Sequence, residues 1–166
     1  MAHQSGGVAS DGIGAWAGHW RAGYTAVGVP KMPRFIGEYN YATGDSDPRD
    51  GRRGTFDVLY PTPHDKYGLA NQIGWKNIHH LRFGPEIKLH PKWLVTGNYH
   101  SWWLASRKDA LYNAIGNPLV RVASGTAGRH VGQELDAQVF YSCNKQTQIA
   151  AGFAHIFPGT FLKNAT

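Results

Sequence analysis

Charge, cysteine, long apolar runs and helical periodicity are all scarce in this chain. Only 17% of its 166 residues are Asp, Glu, Lys or Arg, below the roughly 25% of an ordinary soluble domain, so a charge-rich disordered segment is excluded. The single cysteine, Cys143, rules out an internal disulfide and a cysteine-based metal cage, and reads as an incidental free thiol. No apolar run approaches the about 18 residues of a membrane helix. The first residues, Met1-Ala-His-Gln-Ser-Gly-Gly, do not read as a secretory signal peptide. Both ends read as interruptions, and a partial product is expected. Signatures of catalysis are missing too: there is no His-Glu-x-x-His and no Gly-x-Ser-x-Gly, and Gly125-Thr-Ala-Gly128 lacks the Lys-Ser/Thr of a phosphate cradle. No enzyme activity, no cofactor and no metal are expected.

What the chain has is aromatic residues (13%), 21 glycines and period-2 alternation. Six segments alternate like strands, near 15–24, 34–44, 78–89, 92–104, 130–141 and 147–157. They are about twice the usual strand length of roughly 5–6 residues, and match the about 9–11 residues a tilted strand needs to cross a bilayer. In His80–Leu89 the even positions are His80, Arg82, Gly84, Glu86 and Lys88, while the odd ones are Leu81, Phe83, Pro85, Ile87 and Leu89. A turn at His90-Pro91 suggests pairing in which residue numbers sum to 180, setting Arg82 opposite Asn98 and His80 opposite His100. Trp93, Val95, Tyr99 and Trp103 then join the apolar face.

Connections alternate between short (25–33, 90–91, 142–146) and long (45–77, 105–129). Compact soluble domains rarely carry two structureless loops of that size, whereas membrane barrels place short turns at one rim and long loops at the other. Trp16, Tyr24, Tyr41, Trp75, Trp93, Trp102, Trp103 and Tyr141 fall near strand ends, as aromatic girdles would. The expected fold is all-β: an antiparallel up-and-down meander of about six long strands, a fragment of a transmembrane β-barrel. Six strands cannot close a membrane barrel, so further strands are implied. The expected division is a flexible segment at 1–14, a partial barrel at 15–160 and a tail at 161–166. The alternative is a soluble β-sandwich or small barrel binding carbohydrate, in which Leu81, Phe83, Ile87 and Leu89 would fill a closed core.

With the charged stripes turned inward, the pore-lining candidates are His19, Arg21, Arg34, Glu38, Arg82, Glu86, Lys88, Asn98, His100, Glu134 and Asp136. Arginine's planar fork suits carboxylate-bearing solutes, although such charges can equally pair across strands and stiffen the wall. The membrane-facing candidates are Trp16, Trp20, Tyr39, Phe83, Trp93, Tyr99, Trp103 and Phe153. Asp45, Asp47 and Asp50 alternate as in a Ca²⁺ loop, but no Gly and Glu complete the pattern and Arg49, Arg52 and Arg53 interleave, so a solvated turn is expected. His79 and His80 point to opposite faces, and His80 with His100 would make at most a two-ligand patch. The net charge of +6 is scattered rather than clustered, and no nucleic-acid partner is expected.

Several stretches carry a more specific signal. Gly54–Ile78, running through Tyr60-Pro-Thr-Pro and Lys66-Tyr-Gly-Leu-Ala-Asn-Gln-Ile-Gly-Trp75, is similar to a loop of the alginate-export family of outer-membrane barrels. Tyr39-Asn-Tyr-Ala-Thr-Gly-Asp45, Trp103–Ala114, Val131-Gly-Gln-Glu-Leu-Asp136 and Gly152-Phe-Ala-His-Ile-Phe-Pro-Gly159 resemble the same family. The resemblance covers about residues 33–160 and fits the C-terminal third of such proteins without their last strand. It implies a single-chain antiparallel barrel in a Gram-negative outer membrane, with the lipid bilayer as partner. It further implies a channel, its lumen lined by basic residues with acidic ones among them, for passive passage of anionic polysaccharide or small solutes.

Overall fold

The computed structural model describes residues 1–61 and 66–165. Seven strands form one antiparallel meander in the order β1 (Ala2–Val8), β2 (Asp11–Thr25), β3 (Arg34–Ala42), β5 (Ile78–His90), β6 (Trp93–Leu104), β9 (His130–Ser142) and β10 (Gln148–Pro158). A two-residue strand, β4 (Arg52–Arg53), pairs in parallel with the start of β2. β7 (Leu111–Tyr112) and β8 (Pro118–Val120) form a separate small hairpin, and α1 (Thr160–Asn164) follows β10. Among the described residues β1 pairs only with β2 along its length and β10 only with β9. The sheet is therefore open, an arc consistent with a fragment of a barrel wall.

The six expected strands are present nearly residue for residue. Alternation that persists for 9 to 15 residues leaves little freedom over where a strand starts or stops. Residues 1–14, expected as a flexible segment, instead hold β1 and the first residues of β2. The turns explain themselves chemically. Asn144 Oδ1 accepts from the Gln146 and Thr147 amides, each at 2.9 Å, an Asx-type closure. Pro91 fixes the tight β5–β6 corner.

The β5–β6 register differs from expectation by two. Arg82 sits opposite His100 and His80 opposite Trp102, so the numbers sum to 182. A bulge between Lys88 and His90 takes up residues that a plain hairpin would have paired. A shift of two preserves the face of every side chain, whereas a shift of one would have inverted the sheet.

The described parts of the long loops, residues 43–61, 66–77 and 105–129, pack against the face of the sheet that carries the polar stripe. They and α1 build an apolar core at the loop end of the sheet, with Phe56, Ile73, Trp102, Leu104, Leu111 and Phe161 buried together. Asn77 ties the two loops. Its Nδ2 donates to the carbonyls of Ser106 (3.0 Å) and Ala110 (2.9 Å), and its Oδ1 accepts from the Ser106 amide at 2.6 Å. Gly44 is pressed so closely on the Asn77 side chain that a Cβ would overlap it. Two girdle candidates are corrected by this packing. Trp102 points inward and is fully buried, and Trp75 lies in the loop, donating its indole N–H to the Tyr41 carbonyl at 3.0 Å.

Candidate functional site: the charged concave wall

Strand partners share a face, so the register defines rows across the wall. One runs Arg21, Glu38, Arg82, His100, Glu134. The next toward the loops runs His19, Asn40, His80, Trp102. Toward the turns lie Asn98 beside Asp136, then Arg34 beside Glu86. All eleven pore-lining candidates fall on this one face. Glu38, Asn98, His100, Glu134 and Asp136 are buried beneath the loops, Arg82 and Glu86 are half-buried, and His19, Arg21, Arg34 and Lys88 stand exposed. Asn40 and His80, both fully buried, join the same wall.

The buried members form a continuous chain. His19 Nδ1 meets Asn40 Oδ1 at 2.6 Å. Asn40 Nδ2 donates to Glu38 Oε1 at 2.9 Å and approaches His80 Nδ1 at 3.0 Å. Both amide hydrogens being committed, His80 Nδ1 is an acceptor and its hydrogen sits on Nε2, facing His100 Nδ1 at 2.9 Å. His100 then carries its own on Nε2, 3.1 Å from Asp136 Oδ2 though off the hydrogen-bond axis. Arg82 Nε donates to Asn98 Oδ1 at 3.0 Å, with Nη1 4.0 Å from Glu38. His80, His100 and Trp102 stack with centroids 5.1 to 5.9 Å apart. The His80–His100 patch thus belongs to a hydrogen-bond network across the wall.

A loop segment fills part of the space above. The Leu69 amide donates to Asp136 Oδ2 at 3.1 Å and the Ala70 amide to Glu134 Oε1 at 3.0 Å. The Tyr67 ring stands edge-on to His80 at 5.5 Å. Burial, and then the charge of Glu38, push the Tyr67 hydroxyl pKa up. Nearer the mouth, Asp109 accepts from the Asp45 amide and Thr55 on one oxygen and from Ala110 and Tyr112 on the other. Burial, then the Asp109 charge and hydrogen bond, raise the Tyr112 pKa. Asp45, Asp47 and Asp50 each accept an amide two residues on, which makes that stretch a self-capped turn.

The convex face is the opposite. Trp16, Trp20, Phe83, Trp93, Tyr99 and Phe153 are exposed, and Tyr39 and Trp103 half-buried. The four residues that a soluble core would need inside are outside: Leu81, Phe83 and Leu89 are 47%, 55% and 49% exposed and Ile87 is half-buried. By contrast Glu134, His100 and His80 are 1%, 0% and 0% exposed. Burying so many polar side chains in a dry core is costly, and an aromatic face this broad in water is an association hazard. Both features suit a wall with hydrocarbon outside and a polar interior.

That inversion agrees with the comparison to known families, where alginate export matches residues 1–166. The chain belongs to the alginate-export family. Membership gives it an outer-membrane transport role in general terms. No curated protein matches the chain significantly.

Sequence reasoning missed the docking of residues 67–70 on β9 and the inward Trp102. Tyr67-Gly-Leu-Ala70 has no periodicity, and its docking is through backbone N–H groups that every sequence has. Trp102 lay next to Trp103 in an alternating strand, which was the available signal that only one of the two could face lipid.

Proposed function

We propose that this chain forms part of the wall of a β-barrel channel in a Gram-negative outer membrane, through which anionic polysaccharide or small solutes pass by diffusion without a catalytic step. The observation that carries this is the inverted burial: an ionic, hydrogen-bonded concave face and an aromatic convex face on the same strands. Selection in such a passage comes from the charges on its wall and its width. The acids Glu38, Glu134 and Asp136 are buried and engaged, whereas Arg21, Arg34 and Lys88 are exposed toward the turn rim. The accessible half of the wall is therefore basic, which favours carboxylate-bearing solutes. Open strand edges are not viable in hydrocarbon, so in the bilayer β1 and β10 take further strands as neighbours.

The test is reconstitution of the full-length product in lipid vesicles, followed by flux of uronate oligosaccharides against neutral ones of equal size. Faster uronate entry, lost when Arg21, Arg34 and Lys88 are changed to Gln, is the expected result. Recovery of the protein as a detergent-free soluble monomer would overturn the reading.

A further inference from the structure

On the aromatic face the strand register sets a last row before the loops: Tyr41, His79, Trp103 and His130 stand side by side, all half-buried. The rings of Tyr41 and His79 lie 4.9 Å apart and those of Trp103 and His130 5.6 Å apart. Beyond this row, bordered by Tyr41 itself, is a hollow of about 330 Å³ whose other polar lining is Ser46, Ser106, Arg107, Lys108 and Arg129. We propose that this hollow binds the phosphate of a membrane-lipid headgroup in the leaflet on the loop side. The proposal rests on the reading of this face as lipid-facing and adds to it a defined lipid site.

Charge sets the sign of the ligand. Three cations line the hollow and no acid does. None of the three is in an ion pair among the described residues. The acids nearest in the chain are engaged elsewhere. Asp45 and Asp109 line a separate cleft with Arg53 and Lys76, and Asp109 already accepts four hydrogen bonds. Arg129 is near enough to His79 for its charge to act on that ring, which sets it over the aromatic row. Like charges gathered in one hollow repel, and a bound anion removes that cost.

The donors are also held in place. Asn77 bonds both the carbonyl and the amide of Ser106. Arg121 Nε donates to the Lys108 carbonyl at 2.8 Å. Gly125 packs on the stems of Arg107 and Lys108, where a Cβ would lie 3.4 Å from each. Ser106 is 9% exposed and its hydroxyl oxygen accepts from the Lys108 amide at 3.4 Å, so its own hydrogen is available to a ligand. Guanidinium forks match phosphate oxygens two at a time. Depth agrees with charge. Aromatic rows of membrane barrels lie at headgroup level and the longer loops lie outside. Cations just beyond the row therefore meet phosphates of the outer leaflet, while the lipid chains run down the aromatic face.

Native mass spectrometry of the full-length product in detergent micelles tests this, with phosphatidic acid and phosphatidylcholine of the same chains offered together. Phosphatidic acid should be retained over phosphatidylcholine by at least about fivefold, the worth of one cation at a charged surface. Changing Arg107, Lys108 and Arg129 to Gln should abolish the preference. Changing Arg21, Arg34 and Lys88 to Gln removes the same charge from the other face and should leave it unaltered. Should the first triple variant not fold, Arg129→Gln alone should at least halve the preference. Equal retention of the two lipids, or an equal loss in both triple variants, would overturn the site. So would displacement of the phosphatidic acid by millimolar inorganic phosphate, because the ligand would then be a soluble anion. Absence of solute flux with the lipid preference intact would remove the passage and leave the site, whereas flux without the preference would remove the site alone.

Discussion

Placing an arginine at Phe83 separates a lipid-facing wall from a water-facing one by magnitude. Phe83 is the sixth of thirteen residues in β5, close to mid-height, and is 55% exposed on the convex face. It stacks on Phe35 at 6.2 Å, a contact of about 0.5–1.5 kcal/mol. If that face met water, Phe83→Arg would lose little beyond this stacking, since other surface changes stay within about 0.5 kcal/mol. In hydrocarbon near the midplane an arginine costs about 2–4 kcal/mol in addition, roughly a 30- to 700-fold change in the folded-to-unfolded ratio. Leu89→Arg, near the turn rim of the same strand, is the internal control, at about 0–1 kcal/mol. The assay is denaturant unfolding from lipid vesicles. A difference between the two variants of less than about 1.5 kcal/mol, no more than the lost stacking accounts for, would refute the orientation, and with it the passage.

Three further outcomes follow from the packing. The Tyr112 pKa is raised on folding by burial and Asp109, so the fold favours the neutral phenol. Its contribution is therefore complete below the ordinary value of about 10 and is lost as pH climbs beyond it, and Tyr112→Phe should flatten that alkaline slope in a tyrosinate-absorbance and unfolding titration. Gly44→Ala drives a methyl into Asn77, freeing buried groups of the 105–129 loop at about 1–3 kcal/mol each, which limited proteolysis of that loop should report. Trp102→Ala empties a fully buried site and should cost about 3–5 kcal/mol by the same denaturant assay, whereas Trp103→Ala on the other face should cost less.

Strand positions were legible because alternation over a dozen residues is a strong local signal, and the same alternation puts the eleven wall residues on one face of the sheet. The register was less so. It was set by a bulge near Leu89 that no pattern marks, yet the error fell on the harmless parity. Loop placement was not legible. The docking of residues 67–70 on Glu134 and Asp136 uses main-chain donors, the Asn77 tie uses main-chain carbonyls, and neither leaves a trace in side-chain periodicity. The burial of Phe161 in α1 was hidden for another reason, since a five-residue helix has too few turns to show a period.

Periodicity alone could never have chosen which stripe faced the solvent, because a sandwich and a barrel share the same period. The choice comes from what each stripe must satisfy. The polar stripe here is bonded member to member, from His19 through Asn40 and His80 to His100, and the loops supply amide donors to its acids. The apolar stripe is joined mainly through ring contacts within its own sheet: Trp20 folds over Gly18 and stacks on Tyr39 at 5.5 Å, and Tyr39 Oη meets His79 Nδ1 at 2.7 Å. A side chain that packs only sideways against its own sheet still needs a medium beyond it, and the proposed channel supplies hydrocarbon as that medium for a band of Trp, Tyr, Phe and Leu.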